Sequence, residues 1–547
     1  MINLLLDEKV WEKEVVDGSC LFRPISMTET HHKSLQQLKD LGLPYVITKE
    51  TDGKIVSAEA SVGVIRAVPL FYCASDGEII LTSRAEECLN FLERDPQRIL
   101  EPLSLLEFLS FGYVTSNRSL LSGVKTIQSG ETIKISNNSI EVLTTFLYGQ
   151  SEVKEKLVGE LTDELDEVVK RIFSSLAEDL KGRTALVPLS GGYDSRFIVC
   201  MLKTLGIDDV ICLSYSTPGS YESEMSKAVA QALGYRWYFV ELNKAVWTEE
   251  FEKEDFHQFL DFAHNFTSVT HIQEYPLLTL LPTKVKIDDP KEFVFIPGHT
   301  VVSGFLTPGI MHAKSIDTVL SEVVKRHFTY RYPPIPDTIH EELHRQFSED
   351  YSSIRDPRRL SELFNWRERQ SKFIANANRI YDYFGYHWAL PLWSKEYMDF
   401  WGSVPLDLKF GKKLYGEYLE NRLFKQLGVD FDLEDRLQRR SQDFRALDAK
   451  RVRFSQFLKD MIKRNRFLAN LYRKARISVL GSRNPCAFDI ANQQMSIVSE
   501  RMYQSEFEVL RSILRKEFPG GRAGDPNSYI AEHLLCVLLR KIGIKSS

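Results

Sequence analysis

A glycine turn between two apolar runs is the stretch of this sequence best suited to chemistry. Residues 187–196 read VPLSGGYDSR, so two glycines, two serines and one carboxylate separate a strand-like run from a helix-like run. Strand–turn–helix is a phosphate-binding geometry, because the new helix offers unpaired N–H groups and the positive end of its dipole. Glycines let the backbone approach an anion closely, and Ser190 and Ser195 add hydroxyl donors. We therefore predict that this turn binds phosphate.

The carboxylate inside the turn points to a metal ion. Asp194 would repel a polyphosphate unless a divalent cation lies between them, so the sequence suggests Mg²⁺ with Asp194 as its ligand. The turn lacks both the GxxxxGK[ST] pattern of a Walker A loop and the GxGxxG pattern of a dinucleotide-binding turn. The alternative is a generic strand-to-helix turn with a capping Asp or Ser, which the SGGxDS pattern disfavours.

The elements around this turn predict a parallel sheet. The runs TALVPLS, SRFIVCMLKTLG, DDVICLSYS, SEMSKAVAQALG and RWYFVEL alternate between strand and helix, which is typical of βαβ units. Ser214 and Ser216 end the second strand, and ligands bind at the carboxyl ends of parallel strands. After about residue 244 the sequence predicts mostly helix, interrupted by a short strand, EFVFIPG, that ends at Gly298.

The first third of the chain predicts strands instead. VPLFYCASDGEIILTSR and TIKISNNSIEVLTTF each place turn residues between two β-rich runs, and LSLLEFLSFG predicts a short helix between these hairpins. We expect an α/β protein with three parts: an α+β domain over residues 1–148, a parallel-sheet domain over 149–430, and a helical C-terminal extension over 431–547.

Composition and charge are those of a globular protein. Of 547 residues, 43% are hydrophobic and 27% charged, and a net charge of −5 gives no reason to expect nucleic acid binding. The seven cysteines are scattered without a CxxC pair, which favours reduced core thiols. Acidic residues begin at Asp7, and the sequence contains no long apolar run. We therefore expect a cytoplasmic protein without a signal peptide or membrane span.

The turn resembles the pyrophosphate loop of the N-type ATP pyrophosphatases, and the chain is similar to the asparagine synthetase superfamily. SGGYDS carries this resemblance, and SEMSKAVAQALG, FNWRERQSKFI and YDYFGYHWALPLWSKEYMDFWGSVP resemble later helices of that family. LTSRAEECL and FLSFGYVTSNRSLLSGVKTIQSGETIKI resemble the end of a class II glutamine amidotransferase domain. The resemblance implies an Ntn-like β-sandwich followed by an adenine-nucleotide hydrolase-like synthetase domain.

The resemblance implies a two-step reaction that uses ATP and Mg²⁺. The carboxylate of a small molecule or peptide attacks the α-phosphate, pyrophosphate leaves, and ammonia or an amine captures the acyl-adenylate to give an amide and AMP. The implied nucleotide-binding residues lie on the loop and at later strand ends: Leu189, Ser190, Gly191, Gly192, Tyr193, Asp194, Ser195, Ser214, Ser216 and Gly298. Asp194 would also hold the metal.

The resemblance also implies catalytic side chains farther along the chain. A lysine that stabilises the transition state is expected in FGKKLYGEYL, where Lys412 and Lys413 both qualify and a surface lysine pair is the alternative. Glu368 could accept a proton from the attacking amine, or form a helix-surface ion pair with a nearby arginine. His299 could contact the substrate, or cap its own loop.

Two departures from the family pattern qualify this interpretation. Glutaminases of this class need a cysteine after the initiator Met, but Ile2 stands there, and the chain contains no Asn-Gly dipeptide. The N-terminal domain would then serve as a lid or a dock. The segment FIPGHTVVSGFLTPG lacks the acid that holds the other side of the metal, and Val301 or Val302 occupies its position. A rival hypothesis is therefore a pseudo-enzyme that acts as a partner or regulator.

Two further patterns have an ordinary interpretation beside a functional one. The basic stretch over 433–476 could contact an anionic surface weakly, or be a solvated helical face. HEELH, from His340 to His344, matches the zinc-protease pattern. We predict instead a solvated helix, polar on all sides, with Asp337 as its N-cap.

We predict that the purified protein does not hydrolyse glutamine, because the chain lacks both the cysteine nucleophile and the Asn-Gly segment. Incubation with glutamine should release no more glutamate than a buffer blank in a coupled glutamate assay. Glutamate release above that blank, retained through a second purification step, would contradict the prediction.

Overall fold

The computed structural model describes residues 1–75, 77–91, 99–217, 220–302, 304–330, 336–431, 502–517 and 527–542. Its first ten strands lie near the N-terminus: β1 (Ile2–Leu5), β2 (Trp11–Val16), β3 (Ser19–Pro24), β4 (Tyr45–Thr51), β5 (Lys54–Ser61), β6 (Phe71–Ser75), β7 (Glu78–Thr82), β8 (Lys125–Thr126), β9 (Glu131–Ser136) and β10 (Ser139–Thr144). Six of them form an antiparallel sheet in the order β10-β9-β5-β4-β3-β2, and four form a mixed sheet in the order β1-β7-β6-β8.

Both predicted hairpins are present in these sheets. Strands β6 and β7 pair antiparallel with Gly77 between them, and β9 and β10 pair around Asn137 and Asn138. Both asparagines have positive φ, 49° and 59°, as the tight turns that match strand twist require. Asparagine tolerates this backbone region better than most residues, which explains why the dipeptide stands at the turn.

Five parallel strands form the sheet that follows: β11 (Thr184–Pro188), β12 (Val210–Ser216), β13 (Arg236–Glu241), β14 (Phe293–Phe295) and β15 (His387–Trp388). Their order is β13-β12-β11-β14-β15, and every neighbouring pair is parallel. The βαβ alternation and the short strand before Gly298 are thus confirmed. Strand β15 was not predicted, because two residues within a helical region give no periodic signal.

Nineteen helices are described: α1 (Leu35–Leu41), α2 (Pro102–Phe111), α3 (Val158–Asp179), α4 (Tyr193–Thr204), α5 (Tyr221–Leu233), α6 (Lys244–Glu252), α7 (Glu254–His264), α8 (Tyr275–Leu280), α9 (Pro308–Met311), α10 (Ile316–His327), α11 (Asp337–Arg345), α12 (Pro357–Phe364), α13 (Arg379–Phe384), α14 (Lys395–Ser403), α15 (Leu406–Lys409), α16 (Lys413–Leu419), α17 (Lys425–Leu427), α18 (Gln504–Glu517) and α19 (Asn527–Lys541). The predicted short helix of the N-terminal part is α2. Among the helices of the described ranges, none combines the length and apolar character that crossing a membrane requires.

The N-terminal sheets are joined to the parallel sheet through buried contacts. Met27 pairs with Trp388, so the chain after β3 extends the parallel sheet beyond its edge strand β15. The Trp388 N–H donates to the carbonyl of Ser26 at 2.8 Å, and the indole N–H of Trp366 donates to the carbonyl of Val64 at 2.8 Å. These bonds come from the segments after β3 and β5, so they hold the six-stranded sheet against the parallel-sheet part of the chain.

The C-terminal helices pack back onto earlier elements. Helices α18 and α19 contact each other, and α19 also contacts α2 and α7. Lys541 at its end forms ion pairs with Glu86 at 2.8 Å and Asp261 at 2.6 Å. The basic stretch over 433–476 lies outside the described residues. Six cysteines are described, all of them free and buried: Cys20, Cys73, Cys88, Cys200, Cys212 and Cys536.

The HEELH segment lies in α11, with two corrections. Asp337 is the first residue of the helix rather than its N-cap, which is Pro336. The helix is also not polar on all sides, because Ile339 and Leu343 are fully buried. The two histidines are exposed, while Glu342 is bound to Arg345 and Gln346. The sequence pattern did not reveal this buried face because it contains only two apolar residues, Ile339 and Leu343.

Candidate functional site

A cavity of about 250 Å³ opens at the carboxyl end of the parallel sheet, beside the SGGYDS turn. From the turn itself it is lined by Leu189, Ser190, Gly192, Asp194 and Ser195. From the neighbouring strands it is lined by Ser214, which lies near the end of β12, and by Gly298 and His299, which follow β14. The structure thus brings together eight of the residues that the sequence singled out.

The turn ends directly in the first turn of α4. Gly192 is the N-cap residue of this helix and has no side chain that could satisfy its first N–H groups. The Ser190 and Ser195 hydroxyls lie 3.1 Å apart, and they accept hydrogen bonds from the N–H groups of Gly192 and Ser190 respectively. An uncapped helix N-terminus beside two hydroxyls is suited to binding an anion.

Side chains behind the turn hold its backbone in place. Arg196 is almost fully buried, and its guanidinium donates to the carbonyl of Gly191 at 3.1 Å and to that of Val429 at 3.2 Å. The Tyr193 hydroxyl donates to Glu420 at 2.7 Å. Gly191 and Tyr193 therefore shape the turn from its far side and do not line the cavity.

The neighbouring loop packs against the turn at Gly298. A Cβ atom at this position would lie 2.5 Å from the backbone nitrogen of Ser195 and 2.9 Å from the carbonyl carbon of Asp194. Such distances are far below van der Waals contact, and backbone atoms cannot move aside as a flexible side chain can. The turn can hold this shape only because position 298 carries no side chain.

Asp194 faces a tyrosine and one of the two candidate lysines. Its Oδ1 accepts a hydrogen bond from the Tyr415 hydroxyl at 2.7 Å, and the Lys412 Nζ lies 3.5 Å from Oδ2. Lys412 has a left-handed backbone, with φ of 58°, immediately before α16 begins at Lys413. Of the two candidate lysines, Lys412 is therefore the one whose side chain reaches the turn.

Two further carboxylates, which the sequence patterns did not reveal, line this cavity. Glu222, at the start of α5, lines it beside Ser214, and Glu274 lines its other wall. The hydroxyls of Tyr215 and Tyr381 donate to Glu274 at 3.1 and 2.6 Å, while burial raises the pKa of this carboxyl. A search for acids after each parallel strand would have found Glu222, whereas Glu274 follows no strand.

A smaller cavity of about 110 Å³ continues from the first along His299. The two cavities share Tyr215, Glu274 and His299, and His271 lines the smaller one. Burial lowers the pKa of both histidines to about 4, so both imidazoles are neutral near pH 7. The Nδ1 of His299 is buried and finds no hydrogen-bond partner within the described part of the chain.

Several predicted residues lie outside these cavities. Ser216 does not line either cavity, and its carbonyl accepts a hydrogen bond from the N–H of Leu242 at 2.9 Å. Val301 and Val302 are buried in the core, so a carboxylate at either position would not face the cavity as it stands.

Glu368 is fully buried in a π-helical segment over 365–374 and binds Lys372 at 2.6 Å. It also accepts hydrogen bonds from the Ser116 N–H and the Tyr351 hydroxyl. The expected surface ion pair with an arginine is thus a buried pair with a lysine, and Glu368 lines neither cavity.

No protein-family model and no curated protein matches this chain. In the described ranges, no group of three or more His, Cys, Asp and Glu side chains is arranged to hold a metal ion. What this site can do chemically therefore follows from its own residues.

We predict that Gly298→Ala destabilises the protein by roughly 1–3 kcal/mol, because its Cβ would overlap the Ser195 backbone. Gly304→Ala is a matched control on the same loop, since a Cβ there would meet no atom within 4 Å. Urea unfolding should show a change within about 0.5 kcal/mol for the control. Equal stability of the two variants would show that the close approach at Gly298 is not a constraint.

Proposed function

We propose that this protein is an ATP-dependent, AMP-forming amide ligase of the asparagine synthetase type, without glutaminase activity. The observation that carries the proposal is the SGGYDS turn, which meets Ser214, Gly298 and Lys412 at the carboxyl edge of one parallel sheet. This combination pairs an uncapped helix N-terminus with a carboxylate and a cation. Phosphoryl and nucleotidyl chemistry requires these groups near a polyphosphate.

The proposal assigns a role to each group around the turn. The first N–H groups of α4 and the hydroxyls of Ser190 and Ser195 would bind the pyrophosphate part of ATP. Lys412 would donate to the oxygens that gain negative charge as the carboxylate attacks the α-phosphate. The acyl-adenylate would then react with ammonia or an amine, which releases AMP and gives the amide.

The cavity residues fit a requirement for Mg²⁺. Asp194 and Glu222 both line the cavity, and Mg²⁺ in proteins commonly uses one or two carboxylates together with phosphate oxygens and waters. When bound, the metal would supply positive charge against the leaving pyrophosphate. Glu222 would thereby take the place of the acid that the segment after β14 lacks.

The acyl substrate would lie toward Glu274 and His299, where the smaller cavity begins. Burial raises the pKa of Glu274, and this carboxyl would take the proton that the attacking amine releases. The neutral His299 would offer its unpartnered Nδ1 to the substrate. Both groups are held by elements outside the turn, so they would act on the acyl side of the reaction.

A second candidate is the pseudo-enzyme, which one observation favours. Asp194 is already engaged by the Tyr415 hydroxyl and by Lys412. A protein of this kind would bind nucleotide as a partner or regulator and would not transfer it. Calorimetry with Mg·ATP and an exchange assay separate the two candidates, because the pseudo-enzyme binds nucleotide without exchange.

We predict that Lys412→Ala lowers carboxylate-dependent exchange of labelled pyrophosphate into ATP by about 10²–10³-fold, because a charge that stabilises the transition state is lost. Lys413→Ala is the matched control, since its side chain makes no contact with Asp194, and it should retain exchange within about twofold. The assay uses a panel of amino-acid and peptide carboxylates. Background exchange for the wild type across that panel, with intact Mg·ATP binding, would favour the pseudo-enzyme.

We predict that Glu222→Gln raises the Mg²⁺ concentration needed for half-maximal Mg·ATP binding several-fold, because one of the two carboxylates proposed to hold the metal, Asp194 and Glu222, is neutralised. Glu224→Gln on the same helix α5 is the control, since Glu224 is exposed and does not line the cavity. Calorimetric titrations of ATP at several Mg²⁺ concentrations give the comparison. An identical Mg²⁺ requirement in both variants would remove Glu222 from the metal site.

A further inference from the structure

A third cavity, of about 310 Å³, lies between the N-terminal sheets and the helices α3 and α14. Its walls are mostly apolar and come from both parts of the chain, including Met27, Val64, Ile65, Leu176, Leu390 and Trp393. Leu41 stands at its edge with 46% of its surface exposed. The volume is about twice that of an engineered apolar cavity that binds benzene, so a small ring compound would fit.

One carboxylate with an unpaired oxygen enters this apolar space. Glu29 lines the cavity, and its Oε1 accepts a hydrogen bond from the Leu390 N–H at 2.6 Å. Its Oε2 is buried and has no hydrogen-bond partner among the residues that the structure describes. Burial raises the pKa of this carboxyl to about 7. A buried acceptor without a donor is rare in proteins and indicates that a ligand can supply one.

The charged side chains around the opening offset one another, so the unpaired Glu29 oxygen is the polar group that a ligand would meet inside. Arg171 pairs with Glu396 at 2.5 Å, and Lys395 pairs with Asp399 at 2.7 Å. Lys33 and Asp179 also line the cavity and offset each other's charge. A ligand anion would meet Glu29 unfavourably, and a sugar would leave most hydroxyls unpaired against apolar walls.

We propose that this cavity binds a small apolar amine, whose hydrocarbon body packs between Val64 and Leu176 and whose ammonium group donates to Glu29. A charge-assisted hydrogen bond of this kind is stronger than one from a neutral donor, because both partners are ionised. The hydrocarbon body would also cover Leu41 at the edge. This site does not depend on the nucleotide cavity, with which it shares no lining residue.

The test is a ligand-observed NMR titration of the full chain with 2-phenylethylamine at pH 8, where Glu29 is ionised. The neutral analogue 2-phenylethanol has the same body and lacks the charge. We expect the amine to bind at least tenfold more tightly than the alcohol. Glu29→Gln keeps the acceptor for the Leu390 N–H and replaces the unpaired oxygen with a donor, so the amine should lose at least tenfold in affinity while the alcohol changes little.

A second pair of variants tests the location. Ser175 and Ser174 are adjacent exposed residues of α3, and of the two, Ser175 lines the cavity. Ser175→Trp should block both compounds, whereas Ser174→Trp should block neither, with folding checked by circular dichroism. The proposal is overturned if the wild type binds no amine up to 10 mM, if the alcohol binds as tightly, or if Glu29→Gln binds the amine unchanged. Amine binding that survives in a folded Ser175→Trp also overturns it.

Discussion

The parallel pairing of β11 with a strand on each side is the constraint on which the candidate site depends. Because β12 and β14 both run parallel to β11, the segments that follow all three strands emerge at one edge of the sheet. Those segments carry the turn and Gly298, and Ser214 stands near the end of β12 at the same edge. The approach is so close at Gly298 that any side chain there would displace the turn. Residues far apart in sequence thereby line one cavity.

The N-terminal sheets support this edge although they line neither of the two connected cavities. The chain at Met27 continues the parallel sheet beside Trp388, and Glu29 binds the next turn at Leu390. The carbonyl of Leu392 in turn accepts the N–H of Val301, close to His299. Backbone contacts and the Glu29 side chain therefore connect the N-terminal part to the loop after β14.

Sequence patterns predicted the elements with strong local signals and missed those that depend on distant partners. The hairpins, the βαβ alternation and the turn each follow from turn chemistry or periodicity within a dozen residues. Strand β15 is too short to give such a pattern. Glu274 is held at the cavity by hydrogen bonds from Tyr215 and Tyr381. Glu368 is buried against Lys372 and against Ser116, which precedes Glu368 by 252 positions. No local pattern encodes contacts of that range.

The choice between the two lysines illustrates what local geometry adds. Gly411 and Lys412 are both left-handed, with φ of 65° and 58°, and α16 begins only at Lys413. For a residue with a Cβ, this conformation costs about 1–2 kcal/mol, so it persists only where surrounding contacts favour it. Here it turns the Lys412 side chain toward Asp194, which Tyr415 on the following helical turn also reaches. The contact with Asp194 is one of the interactions that can offset this backbone cost, and it places Lys412 on the candidate site.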